Sequence, residues 1–190
     1  MDVTKTEMKK RLHLSLSNGR YAHTLGVAAT AKRLAFRCGV SEETAEIAGL
    51  LHDCAKSMPI EAMISITNEM GVFVDDIERQ IPDILHAPAG CALARRDYGI
   101  EDSEILSAIR LHTIGGKNLS PLEMLIYLSD FIEPQRKPFD GLERVRALAE
   151  EDISLAAQLA ARLSTQYVLS RGGLVHPATL EMFKNTEEIQ

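Results

Sequence analysis

No apolar run in the 190 residues approaches the ~20 that a membrane-spanning helix needs, and Met1 to Lys10 hold no apolar core of the kind a secretory leader carries. The chain is therefore expected in the cytoplasm, with no membrane partner. Cysteine is scarce: Cys38, Cys54 and Cys91 are odd in number and lack CxxC spacing, which excludes a disulfide framework and a thiolate zinc site. Cys54 reads as a packed free thiol. Positive charge is also in deficit. A net charge of −6 argues against a general nucleic-acid binder, which needs a basic face to displace phosphate counterions. There is no Walker-type glycine loop and no Ser-His-Asp arrangement, so a covalent intermediate is not expected. No β-type alternation, internal repeat or low-complexity stretch occurs. An apolar share of 45% and a charged share of 25% are those of an ordinary globular chain, long enough to bury a sizeable core.

Local punctuation points to an all-α fold. Asn18-Gly19 opens a helix with Leu25, Ala28, Ala29, Leu34 and Ala35 at helical spacing, and Gly39 closes it. Ser41, followed by Glu42 and Glu43, caps the next helix, which should carry His52 and Asp53 toward its end. Pro59 suits the first turn of a helix ending before Gly71, and further helices are expected over 88–98 and 103–113, stopped by Gly99 and by Gly115-Gly116. Ser120-Pro121-Leu122-Glu123 combines an N-cap, a first-turn proline and a capping-box glutamate, predicting a helix over 121–132. Helices over 141–150 and 152–170 and a short one after Pro177 complete the expectation.

Four of the six histidines form a spaced series with two aspartates: His23, the pair His52-Asp53, His86, His112 and Asp130. The pair lies in an almost wholly apolar stretch, Ile47 to Ala55, where an ionisable step is costly unless paired or coordinated. A buried carboxylate there calls for a cation. Imidazole and carboxylate without a thiolate cluster suit iron, manganese, zinc or, with fewer nitrogens, magnesium.

The order H…HD…H…H…D resembles the HD-domain superfamily of metal-dependent phosphohydrolases. Within it, six stretches resemble the YqeK family of symmetrical diadenosine-tetraphosphate hydrolases: Asn18 to Val27, Gly49 to Lys56, Leu85 to Gly90, Leu111 to Gly115, Leu128 to Pro134 and Gly173 to Glu181. The resemblance spans nearly the whole chain. It implies an HD-type helical bundle with a metal site between central helices, as a single domain over 18–190 preceded by a helical segment over 1–17. His23, His52, Asp53 and Asp130 are the firmest ligand set. His86 and His112 then either hold a second metal bridged by Asp53 or contact substrate phosphate directly, with phosphate contact slightly favoured.

Arg20 lies three residues before His23 and Lys56 three after Asp53, so on helices each cation would sit about one turn from a ligand. Arg20, Lys56 and Arg136 are the expected phosphate contacts, and Arg20, Lys56 and Asp53 the expected catalytic residues. The segment around Arg171, Gly173, Leu174, Val175 and His176 reads first as a glycine-capped helix end and second as a loop meeting base or ribose. His13 matches no motif and is expected at the surface.

By resemblance, iron is the favoured metal, a metal-bound water the nucleophile and a dinucleoside polyphosphate the substrate, cut to two ADP. A mononucleotide phosphatase would use the same ligands, and a non-catalytic nucleotide sensor would keep them without turnover. The residues leave the oligomeric state, monomer or homodimer, open.

Overall fold

A computed structural model describes residues 3–183, and the last seven residues of the expected 18–190 domain lie outside them. Among the described residues there is no strand. Eleven α-helices follow one another: α1 (Lys5–Ser15), α2 (Asn18–Leu34), α3 (Glu42–Leu51), α4 (Ile60–Glu69), α5 (Asp76–Gln80), α6 (His86–Tyr98), α7 (Ser103–Leu111), α8 (Pro121–Ile132), α9 (Leu142–Ala149), α10 (Ile153–Ser170) and α11 (Pro177–Glu181). None is long and apolar enough to cross a membrane.

Side-chain caps set most of the starts. Ser17 accepts from Arg20 N, Ser41 from Thr44 N and Asp102 from Glu104 N, while Ser120 and Glu123 form the reciprocal capping box expected of them. α6 begins two residues earlier than expected, because Pro88 falls in its first turn, where no N–H is yet required. Gly99 ends it in the left-handed conformation at φ 69°, open to glycine without a Cβ penalty.

α2, α3, α7 and α8 pack around the principal core, which holds Leu34, Leu50, Leu51, Ile109, Leu125, Ile126 and Leu128. α1 adds Met8, Leu12 and Leu16 to the same core. Gly49 lets α3 approach α2 closely: a Cβ there would stand 2.8 Å from Ala28 Cα, a backbone collision. That crossing brings His23 of α2 beside the end of α3. A smaller apolar cluster, including Met63, Ile66, Leu85 and Ala89, seats α4 against α6.

His52 and Asp53, expected inside a helix, lie just past its end. The next helical hydrogen bond would take Asp53 N to Gly49 O, but His52 Nδ1 occupies that carbonyl at 2.7 Å. The chain turns tightly instead, with Cys54 N donating to Leu51 O and Lys56 N to Asp53 O. α7 ends the same way, as His112 Nδ1 takes Ile109 O at 2.8 Å. Lys56 therefore stands on this turn and not one helical turn from Asp53.

Candidate metal centre

Four helix ends and one helix face place the series in one buried cluster. His23 projects from the first half of α2, His52 and Asp53 follow α3, His86 opens α6, His112 follows α7, and Asp130 lies in the last turn of α8. His52, Asp53, His86 and His112 are buried. Neighbouring rings stand edge to face, with centroids 5.4 Å apart for His23 and His52, 5.0 Å for His52 and His112, and 5.0 Å for His86 and His112.

Asp53 sits between two groups of nitrogens. Its Oδ2 lies 3.8 Å from His52 Nε2 and 4.0 Å from His23 Nε2; its Oδ1 lies 3.0 Å from His86 Nε2 and 3.7 Å from His112 Nε2. Asp130 Oδ1 is 3.0 Å from His23 Nε2 and 4.0 Å from His52 Nε2. His23, His52 and Asp130 can together hold one ion, and His52, Asp53 and His112 another, each set with ligand atoms within 4.8 Å of one another.

The outer ring nitrogens are already engaged. His52, His86 and His112 direct Nδ1 at the carbonyls of Gly49, Asp83 and Ile109; a carbonyl can only accept, which places the ring proton of His52 and His112 on Nδ1, while His86 Nδ1 also faces the Lys56 ammonium, itself a donor. Their Nε2 atoms converge on carboxylate oxygens and on one another, with His86 and His112 Nε2 only 3.1 Å apart. His52 Nε2 is buried with no hydrogen-bond partner. A dry space ringed by acceptors fits cations, and the donor set of imidazoles and carboxylates suits a divalent metal.

The electrostatics agree. Burial pushes His52 down from 6.5 to about 4, keeping it in the neutral form a ligand needs. Burial would raise Asp53, but His52, His112 and His86 outweigh it and hold the carboxyl well below the usual carboxylate range. Asp130 is likewise lowered against burial, by His23 first and then by His52 and Arg136.

The expected cations surround this cluster. Arg20 Nη1 is 3.6 Å from Asp53 Oδ2, and Arg136 Nη2 donates to Asp130 Oδ1 at 2.9 Å. Lys56 Nζ donates to Asp83 O at 3.2 Å and stands 3.0 Å from His86 Nδ1; burial draws it below the usual lysine value despite the pull of Asp53. Cys54 is a buried free thiol facing Gly90 O, and exposed His13 packs edge-on to Tyr21.

The C-terminal group is placed differently. His176 caps α11, accepting from Ala178 N at Nδ1, and its Nε2 lies 2.8 Å from Asp75 Oδ2. Arg171 stacks over Tyr167 at 5.4 Å, Gly173 N closes the end of α10 on Val168 O, Leu174 is exposed and Val175 half-buried. One residue at the cluster has no expected role. Glu133, which falls within the stretch Leu128 to Pro134, is buried with Oε1 3.1 Å from His23 Nδ1.

An all-helical bundle with a His/Asp cluster at its centre defines a metal-dependent hydrolase architecture, and the family model for the HD domain matches residues 20–163. The chain belongs to the HD domain family. It is 38% identical over 164 residues to a symmetrical bis(5'-nucleosyl)-tetraphosphatase of Bacillus subtilis, covering 86% of this chain and 87% of that one. Similarity to the protein of the same name from Halalkalibacterium halodurans is 38% over 168 residues, covering 88% and 89%. A crystal structure from Clostridium acetobutylicum, described as a predicted HD superfamily hydrolase involved in NAD metabolism, superposes with a TM-score of 0.91 at 38% identity over 97% of each chain.

Proposed function

We propose that this chain is a metal-dependent hydrolase that cleaves diadenosine tetraphosphate symmetrically to two ADP. The observation that carries the reading is the Asp53 carboxylate set between two groups of inward-facing imidazole nitrogens, with Arg20, Lys56 and Arg136 around them. The names of the relatives supply the substrate and the position of the cut.

His23, His52, Asp53 and Asp130 would hold one ion. For His86 and His112 the sequence slightly favours phosphate contact, but their burial, and Nε2 atoms turned toward Asp53 and each other, favour a second ion bridged by Asp53. Four imidazoles suit iron or zinc better than magnesium, and iron is the metal we propose. An ion held there supplies Lewis acidity toward a phosphoryl oxygen and lowers the pKa of a bound water. Arg20 and Arg136, both partly exposed, offer donors to phosphate oxygens arriving from solvent, and Lys56 adds charge on the His86 side. With two phosphates gripped on either side of the reacting bond, the central bridging oxygen leaves with the second ADP. The loop from Arg171 to His176 is the proposed contact for base or ribose. A nucleotide substrate and three free cysteines suit the cytoplasm.

Product analysis of metal-replete protein tests this. ADP alone from diadenosine tetraphosphate is expected, with one oxygen-18 from labelled water in one of the two ADP molecules. ATP plus AMP would overturn the symmetrical cut. Turnover of mononucleotides alone, or of nothing despite nucleotide binding, would leave the phosphatase or the sensor.

A further inference from the structure

We infer that Glu133 is a positioning residue that fixes the tautomer and orientation of His23, and that residue 26 is glycine so that this carboxylate can reach the ring. The inference rests on the metal reading above and names how one ligand of that site is held.

His23 differs from the other cluster histidines. Their Nδ1 atoms face carbonyls three residues earlier in the chain, so the turn that carries each ring also orients it. His23 lies within α2, faces the carboxylate of a residue 110 positions away, and is the most exposed ring of the cluster, its side chain 18% accessible. Asp130 meets the opposite ring nitrogen, so Glu133 stands outside the ligand set. A carboxylate in this place keeps the proton on Nδ1, leaves Nε2 free for a metal and makes the imidazole a stronger donor.

Glu133 is itself held on several sides. Its Oε2 accepts from Gln135 N at 2.7 Å, and its carbonyl accepts from Arg146 Nη2 at 2.8 Å. Gly26 lies three residues after His23, on nearly the same face of α2. A Cβ on Gly26 would stand 2.7 Å from Glu133 Oε2, so any other residue would displace the carboxylate end while the backbone could stay. The two carboxylate oxygens thus face two donors, His23 Nδ1–H and Gln135 N–H, each of which requires an acceptor. An amide cannot serve both. With its oxygen toward His23 its NH2 meets the Gln135 N–H; flipped, it donates to Nδ1 and drives the ring proton onto Nε2, where it blocks a metal.

The test uses Glu133→Gln and Gly26→Ala in the full chain, with two readouts. In metal-free protein held at a pH above the folded value of His23, where the ring is neutral, nitrogen-15 spectra of the imidazoles should show wild-type His23 protonated at Nδ1 and a shift toward Nε2 in Glu133→Gln. Competition between the protein and a chelator for zinc should show one ion bound about 10- to 100-fold more weakly in both variants, the other unchanged. Gly26→Ala retains the carboxylate and moves it, so agreement of the two variants separates positioning from loss of charge. Unchanged tautomer and zinc affinity in either folded variant overturns the inference. Equal weakening of both ions also overturns it, since a general loosening would act on both. Failure of the wild-type protein to bind zinc would remove the metal reading instead, while the tautomer measurement would still decide the role of Glu133.

Discussion

The two halves of the cluster, joined at Asp53, are built by different means. On the inner side His52, His86 and His112 have side chains 0 to 3% accessible, and backbone carbonyls of their own turns aim their rings. On the outer side the His23 and Asp130 side chains are 18% and 24% accessible, flanked by half-exposed Arg20 and Arg136, and side chains distant in sequence aim them. The rings of the inner half are thus aimed locally, and the packing of α3, α6 and α7 brings them together. The outer half exists only once α2 and α8 have docked. This division suits one side that holds metal and another that also meets an incoming polyphosphate.

Asp53 belongs to both halves, and its loss should have the largest effect. Asp53→Ala is expected to abolish bound metal and turnover together while leaving the helical signal in circular dichroism nearly unchanged, because the core leucines around it stay in place. Elemental analysis beside the spectrum checks this. Full metal occupancy in the variant would remove Asp53 from the ligand set.

Replacing His86 and His112 together with Ala should break only the inner half, lowering metal stoichiometry by one per chain while the outer ion remains. Elemental analysis reads the count directly. Unchanged stoichiometry with weaker substrate binding would return these residues to phosphate contact.

Acid separates the halves in metal-free protein. Burial takes His52 from 6.5 down to about 4, and His86 is lowered for the same reason. At His23 burial also pulls downward, but Asp130 and then Glu133 outweigh it, so this ring titrates above 6.5. Unfolding between about pH 4 and 6.5 takes up a proton at His52. Its contribution, about 3 kcal/mol, is therefore full above 6.5 and lost as pH falls toward 4. His23 has the opposite sign: its contribution is full below 6.5 and lost as pH rises through its folded value. Imidazole NMR titrations with urea melts at matched pH test both. His23 and His52 titrating at one pH would erase the difference between the halves.

What the sequence makes legible follows the same line. The ligand series and most helices are local signals: the Ser120 to Glu123 box, Gly99 and the apolar stripes correspond directly to the observed ends of α6 and α8. α5 carries its own box, Asp75 with Glu78, but five residues without an apolar stripe resemble a loop, and its buried Glu78 makes sense only beside Arg110, 2.7 Å away. Glu133 has the same character. Next to Pro134 it resembles a simple helix stop, and its partner His23 is brought to it only by the packing of α2 on α8. His176, whose segment reads first as a glycine-capped helix end and second as a nucleotide contact, also ties α11 to the start of α5 through Asp75. Contacts across long sequence separations, involving single side chains without periodicity, are what a pattern of spacings does not contain.

The smallest effect expected is that of Arg136→Ala, and it sharpens the distinction between holding the reacting group and neutralising it. Arg136 reaches Asp130 from the loop after α8, donating to both its carboxylate and its carbonyl, with a side chain 40% accessible. A guanidinium so open to water is screened, so its removal should slow turnover by about tenfold, less than the ~100-fold or more that a buried oxyanion donor supplies. The cut should stay where it is, because the phosphorus attacked is set by the residues that hold the metal and not by a charge at the rim. Chromatography of partial digests reads both quantities: ADP as the sole product at a reduced rate is the expected result. ATP and AMP appearing in the variant would show instead that Arg136 sets the register of the phosphate chain, and would move the outer half from charge neutralisation to substrate alignment.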